Sequence, residues 1–207
     1  TTAETIAQIK YFVPNIRTKL SLLEGLVMEE DFERGIIFTK SRKNADTVHN
    51  YLQGHHSGTI RVIHANKGQN TRINSMDDFK KGEVKILVAT DVAARGLDVS
   101  MVSHVINFDV PLIYEDYVHR IGRTGRAENV GKAATFINPA EAFHFEKIET
   151  IIRMLVPEEP IPADVTIHET PFEEKQGYER EIDKQKRGDD PDFKGAFHEK
   201  KGYAKPF

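Results

Sequence analysis

The chain has 207 residues, enough for one compact domain and an appendage, and its formal net charge of −3 means that any polyanionic partner must meet a local basic patch. Cysteine is absent, which excludes disulfides and thiolate chemistry and fits a reducing, cytoplasmic compartment. No apolar run approaches the roughly 18 residues of a membrane span, and the N-terminus lacks a signal-peptide pattern and an initiator methionine, as expected of a non-membrane protein supplied as a piece of something longer.

In chain order, Ala7, Ile9, Tyr11 and Val13 alternate with polar or exposed positions and predict a strand closed by Pro14. From Asn15 to Glu30, Ile16, Leu20, Leu23, Leu26 and Val27 recur at helical spacing, with Asn15 as the cap. Ile36, Ile37 and Phe38 read as a strand buried on both faces, after which Ser41 caps a helix that turns Ala45, Val48 and Leu52 inward. Thr59 to His64 predicts another strand, and the segment after Gln69, with Ile73, Met76 and Phe79, another helix. Further strands are expected at Glu83 to Ala89, Val102 to Phe108 and Ala133 to Ile137, with helices from Tyr114 to Arg123 and Glu141 to Leu155. This alternation implies an α/β domain with a mainly parallel sheet and helices on both faces. Past Val156, prolines and mixed charges replace the pattern, so 1–167 read as the domain and 168–207 as a charged, largely disordered tail.

Function must then sit where strands end, because strand-to-helix loops in parallel sheets offer unpaired N–H groups. Three such loops open on one edge: Ser41-Arg42-Lys43, His64 through Arg72, and Thr90 through Asp98. Their hydroxyls, amides and arginines suit a phosphate backbone, although Ser41 taken alone is first an ordinary N-cap. The octamer His119-Arg120-Ile121-Gly122-Arg123-Thr124-Gly125-Arg126 is denser still in cations. On a helix His119 and Arg123 share a face one turn apart, with Arg126 just beyond, a convergence that suits a polyphosphate. A solvated basic face is the bland alternative for such an octamer.

These segments carry a family resemblance. Phe38-Thr39-Lys40-Ser41 is similar to motif IV of DEAD-box RNA helicases, Gln69-Asn70-Thr71-Arg72 to the Gln-x-x-Arg element, Ala89 to Asp98 to motif V, and His119 to Arg126 to motif VI. Over roughly Thr5 to Pro160 the chain resembles the second, C-terminal RecA-like domain of such a helicase, and the loop His64 to Gln69 resembles the RhlE-type branch. Ser41 stands where threonine is usual and Ala65 where glycine is usual. The resemblance implies that Arg123 and Arg126 reach the γ-phosphate of ATP, Arg126 as the finger proper, and that His119 couples that site to the cleft. It likewise implies that Asp98 touches the ribose and that Ser41, Arg42, Gln69, Arg72, Thr90, Arg95 and Gly96 line an RNA track, Arg95 having a second possible role in bracing its own loop. A Gly-Lys-Ser/Thr phosphate loop and a catalytic carboxylate segment are not found, so ATP would be shared with an N-terminal RecA-like domain that also supplies the Mg²⁺ ligands, and this chain would be inactive alone. Two alternatives fit the same segments: a DNA-directed motor of the same superfamily, and a non-catalytic RNA-binding or interaction module. Oligomeric state is not legible.

Overall fold

The computed structural model describes residues 5–96, 99, 102–125 and 130–193. Its strands are β1 (Ile6–Phe12), β2 (Gly35–Thr39), β3 (Ile60–Ile63), β4 (Ile86–Thr90), β5 (His104–Asn107) and β6 (Gly131–Ile137). They form one sheet in the order β1-β6-β5-β2-β4-β3, and every pairing is parallel. The helices are α1 (Ile16–Val27), α2 (Arg42–His55), α3 (Gln69–Lys80), α4 (Asp91–Ala94), α5 (Glu115–Ile121), α6 (Ala142–Ile152) and α7 (Phe172–Asp189). The expected α/β class is therefore seen in a RecA-like, all-parallel form.

Side-chain alternation distributes the strands between two cores. In β2 Ile37 packs with Leu22, Leu23, Val48 and Leu52 of α1 and α2, while its neighbours Ile36 and Phe38 face Met76 and Phe79 of α3. A third cluster seats Tyr117 and Ile121 of α5 and Phe145 and Ile148 of α6 over Ala133 and Ile137 of β6. Parallel strands covered on both faces read as continuous apolar runs, which is why Gly35–Thr39 and Ile86–Thr90 are buried at every position. The predicted caps form: the Asn15 carboxamide accepts from Thr18 N–H at 2.8 Å and the Ser41 hydroxyl from Asn44 N–H at 3.1 Å.

Several expectations shift at their ends. Strand β5 is shorter than expected because Val102 pairs instead with Thr124 in an isolated parallel bridge. Helix α5 stops at Ile121 with Gly122 as its cap. Ile73, expected inward, is 46% exposed. In β1 it is Ile6 and Gln8 that are buried beside Tyr11, with Ala7 exposed. The proline-rich stretch after α6 shields that edge strand: Lys10 N–H donates to Pro157 C=O at 2.9 Å and Glu159 N–H to Lys10 C=O at 2.9 Å.

Two compact units divide after His168. His168 stays with the first because its N–H donates to Thr18 Oγ1 at 3.0 Å and its C=O accepts from Asn15 Nδ2 at 2.7 Å. In the second unit the segment read from composition as a tail contains α7. Its acids Glu173 and Glu174 lie in the first turn and Lys186 and Arg187 in the last, the order that complements a helix dipole, and none of its residues is buried.

Candidate functional site

The carboxyl ends of β2, β4 and β5 lie side by side, with Thr39 in register with Thr90 and Phe38 with Asn107. Here the strand order doubles back, since the chain leaves β2 for β3 on one side and returns from β4 to β5 on the other. A pocket of about 190 Å³ opens at this edge, lined among others by Phe38, Arg95, Gly96, His119, Arg120 and Arg123. The structure thus gathers His119 from the last turn of α5 and Arg123 from just beyond its end, and adds Arg95 and Gly96 from the loop after β4.

Arg120, which sequence reasoning passed over, anchors this pocket from beneath. It is 1% exposed, and its Nε and Nη2 donate to the two carboxylate oxygens of Asp91 at 2.6 Å each. Its Nη1 donates to Asp109 C=O at 2.7 Å and to Asn107 Oδ1 at 3.2 Å, and its guanidinium lies over the Phe38 ring. A bidentate fork of this kind fixes geometry as well as energy. It clamps the start of α4 to α5. Asp116, buried one turn before Arg120, makes a second tie: it accepts from Arg95 Nη2 at 2.8 Å and lies 3.6 Å from His119 Nδ1. His119 itself is 73% exposed on its side chain and faces the pocket mouth.

The backbone at the site is shaped by two glycines. Gly96, at φ +74°, turns the chain after Arg95 into open space. Gly125, at φ +69°, runs so close to the start of β1 that a Cβ there would meet Thr5 O at 2.7 Å, so only glycine fits. Between them Arg123 reaches Val99 C=O at 3.4 Å, and Thr124 Oγ1 donates to Val102 C=O at 2.5 Å. Asp98 and Arg126, the predicted ribose contact and finger, lie outside the described residues.

The predicted RNA-track residues fall along the same edge of the sheet. Ser41 is the N-cap of α2, as its bland reading holds. Arg42 is exposed and donates to Asn66 Oδ1, joining the loops after β2 and β3. Gln69 opens α3, and Arg72 one turn later bonds Gln69 Oε1 and Ala93 C=O at 3.3 Å each, so it also joins the loops after β3 and β4. Arg72 Nε is buried without a hydrogen-bond partner. Thr90 caps α4 from a buried position with no side-chain cap bond. His64, which ends the third strand's run, is buried and holds this region from below: its Nε2 lies 2.9 Å from Asp46 Oδ1 and its Nδ1 accepts from Asn66 N–H at 3.2 Å.

Behind the site a second buried cation organises acids. Lys19, 1% exposed on its side chain, donates to Glu141 Oε1 at 2.6 Å and Phe108 C=O at 2.7 Å, with Asp109 Oδ1 at 3.4 Å. Asp109 Oδ2 accepts from Lys40 N–H at 3.0 Å and Asn44 Nδ2 at 2.9 Å, so this carboxylate carries the loop after β2. Burial alone would push Asp109 up, but the Lys19 and Lys40 charges and these hydrogen bonds outweigh it and hold it below the ordinary carboxylate value. Burial alone would lower Lys19, and Glu141 and Asp109 outweigh it to raise it. A depressed acid stabilises the fold above its unfolded pKa of about 3.9, and that contribution disappears as pH falls through the folded value. A raised lysine acts below about 10.4 and is lost as pH rises through its folded value. The stability gap between wild type and Asp109→Asn is therefore expected to be full at pH 6 and to close toward pH 3 in urea titrations. A gap unchanged over that range would contradict the ionised role of Asp109.

Comparison with known proteins gives the arrangement its context. The family described as "Helicase conserved C-terminal domain" matches residues 18–128. The chain is 38% identical over 160 residues to the ATP-dependent RNA helicase RhlB of Shewanella frigidimarina, covering 77% of this chain and 37% of that protein. An RhlB from Enterobacter sp. is 39% identical over 162 residues, covering 77% and 38%. The chain thus spans a little over a third of these relatives. Among solved structures it is similar to Escherichia coli DEAD-box protein SrmB bound to regulator of ribonuclease activity A, with TM-score 0.72, 31% identity, and coverage of 80% of this chain and 97% of that one. It is also similar to Saccharomyces cerevisiae Dbp5 bound to RNA and ADP BeF3, with TM-score 0.68, 28% identity, and coverage of 78% and 44%. These relatives carry the name RhlB, so they support a DEAD-box C-terminal domain and not the RhlE-type branch in particular.

Proposed function

The chain belongs to the family of helicase conserved C-terminal domains, and from that premise we propose that it is the C-terminal half of an ATP-dependent DEAD-box RNA helicase, contributing arginines to ATP and loop groups to RNA. The observation that carries the reading is the pocket where Arg95, Gly96, His119 and Arg123 meet over the buried Arg120–Asp91 clamp. At about 190 Å³, and with Arg123 and His119 at its lining beside the paired Arg120–Asp91 and Arg95–Asp116, it fits the phosphate end of a nucleotide rather than a whole one. That agrees with a site shared between two lobes.

On this reading Arg123 and Arg126 bind the γ-phosphate, His119 couples that contact to the cleft, and Asp98 meets the ribose; Mg²⁺ is held by ATP and the other lobe. ATP, when bound, supplies the phosphoryl group whose loss frees these arginines. The clamps at Asp91 and Asp116 keep Arg95, His119 and Arg123 in one geometry, so that binding across the cleft draws the lobes together. Ser41, Arg42, Gln69, Arg72, Thr90 and Gly96 then contact the RNA backbone, and a strand held on its phosphates in a bent path no longer fits a continuous A-form duplex. Alone, the chain has half of this machinery and turns over no ATP. Cytoplasmic residence belongs to the same proposal; among the described residues no helix is long and apolar enough to cross a membrane. The resemblance of the His64–Gln69 loop is what supports an RhlE-type assignment within the family.

RNA binding tests the track. Labelled single-stranded RNA titrated at two salt concentrations should bind weakly, with little sequence preference and strong salt dependence, each phosphate contact adding about 0.7 to the log–log slope. Arg42→Ala and Arg72→Ala should each weaken binding across all sequences and flatten that slope. Strong sequence preference, or affinity unchanged in both variants, would mean that the RNA path lies elsewhere.

A further inference from the structure

The first strand, β1, begins against the stretch that runs from Tyr117 to Gly125. Ile6 pairs in register with Gly131 and packs in the same cluster as Tyr117 and Ile121 of α5. Two residues on, Gln8 is buried, and its Oε1 accepts from Tyr117 Oη at 2.7 Å. Thr5, just ahead of the strand, makes two further bonds: its Oγ1 donates to Gly125 C=O at 2.9 Å, and its C=O accepts from Gly131 N–H at 3.0 Å. One residue thus holds both glycines. They also meet each other, since a Cβ on Gly131 would collide with Gly125 N and Thr124 Oγ1.

Core packing explains Ile6 and Gln8. It does not explain the Thr5 hydroxyl, whose bond is exposed and so contributes little to stability. The geometric effect of that bond is larger. Gly125 stands at φ +69°, and glycine has the widest backbone freedom of any residue, so its ψ is set by what its carbonyl meets. A peptide unit is planar, and the orientation of Gly125 C=O therefore sets the plane in which the chain goes on to Arg126. The run before it is held as well: Val102 N–H donates to Arg123 C=O at 3.3 Å, and Thr124 Oγ1 donates to Val102 C=O at 2.5 Å. Val102, just ahead of β5, and Thr5, just ahead of β1, thus hold the two ends of Arg123-Thr124-Gly125.

We propose, on the reading of Arg123 and Arg126 given above, that Thr5 is a positioning residue for these arginines. Its hydroxyl fixes the backbone at Gly125, between the two, and so holds the pair in the geometry that meets the γ-phosphate. The entry of the chain into the domain then takes part in the site, together with the loops at the carboxyl edge of the sheet. A misplacement on the order of 1 Å, caused by a residue away from the chemistry, can cost about 10² in rate. One exposed hydroxyl therefore weighs far more in turnover than in folding.

In the two-domain protein, Thr5→Val removes the hydroxyl and keeps the shape of the side chain, whereas Thr5→Ser keeps the hydroxyl. RNA-stimulated ATP hydrolysis is measured for both beside wild type and Arg126→Ala, together with RNA affinity without nucleotide and, in the 207-residue chain, Tm. Thr5→Val should lower kcat about tenfold while KM for ATP, RNA affinity and Tm stay at wild-type values, and Thr5→Ser should restore kcat to within about twofold. An undiminished kcat in Thr5→Val beside a low one in Arg126→Ala would overturn the positioning role and leave the arginine reading standing. Undiminished kcat in both would overturn the two together. A fall in kcat matched by a fall in Tm, or not restored by serine, would show a structural tie in place of an aimed hydroxyl and would also overturn the role of Thr5.

Discussion

Replacing Arg120 with methionine should lower the unfolding free energy by about 3–5 kcal/mol, because it strands partners that have no other way to be satisfied. The Asp91 carboxylate, 18% exposed, would lose both of its 2.6 Å bonds, and the buried Asp109 C=O and Asn107 Oδ1 would each lose a donor. Methionine approximates the aliphatic stem, so the loss reports the charge and its hydrogen bonds more than the volume. For a domain of this size the drop corresponds to roughly 10 °C or more in Tm. The double variant Asp91→Leu/Arg120→Met should recover part of the loss, since burying no charge is less costly than burying one alone. Urea unfolding of the four members of the cycle measures this. A loss below about 1 kcal/mol for Arg120→Met would mean that the clamp beneath the pocket contributes little to stability.

Most of the fold is legible because apolar periodicity and caps agree at each step. Ile36 to Phe38 cannot be other than a two-sided strand once Ser41 caps the following helix, and the structure seats its two faces on different helices. What the pattern does not carry is strand order. Sequence places β4 next to β3 in the chain but gives no reason why β2 should lie between β4 and β5, a choice made by right-handed crossovers and by long-range packing. Within the stretch expected as a tail, 172–189 form a helix, since few aliphatics also describe a helix carried by its own polar contacts, here with Tyr178 Oη donating to Glu174 one turn earlier.

The sequence predicts which loops meet at this edge of the sheet, but not the buried groups that support them. His119 and Arg123 line one pocket although α5 ends at Ile121, because the turn after it continues with Arg123 N–H donating to Arg120 C=O. The signal for Arg120 is its place on a buried helix face, since Asp116, Tyr117, Arg120 and Ile121 recur at that spacing. A cation on such a face needs a buried acid, and Asp91 at the start of α4 was available. Lys19 hides in the same way, placed between Thr18 and Leu20 on the inward side of α1. No local pattern announces that Glu141 and Asp109, far along the chain, will meet it.

The proposal that this chain completes an ATP site rests on Arg126 as the finger, and its variant in the two-domain protein tests that most directly. A guanidinium that meets charge mainly as the transition state forms contributes to kcat rather than to ground-state binding, and arginine fingers contribute on the order of 10³ to 10⁵. With Arg123 still in place, Arg126→Ala should reduce RNA-stimulated kcat by about 10² or more while RNA affinity without nucleotide barely changes. Arg72→Ala should do the reverse, weakening RNA first and lowering turnover only through the lost stimulus. The measurement is steady-state ATP hydrolysis at saturating ATP and RNA for wild type and Arg126→Ala. A drop of about 10² or more with unchanged RNA binding is the predicted result, and equal kcat values would contradict the account.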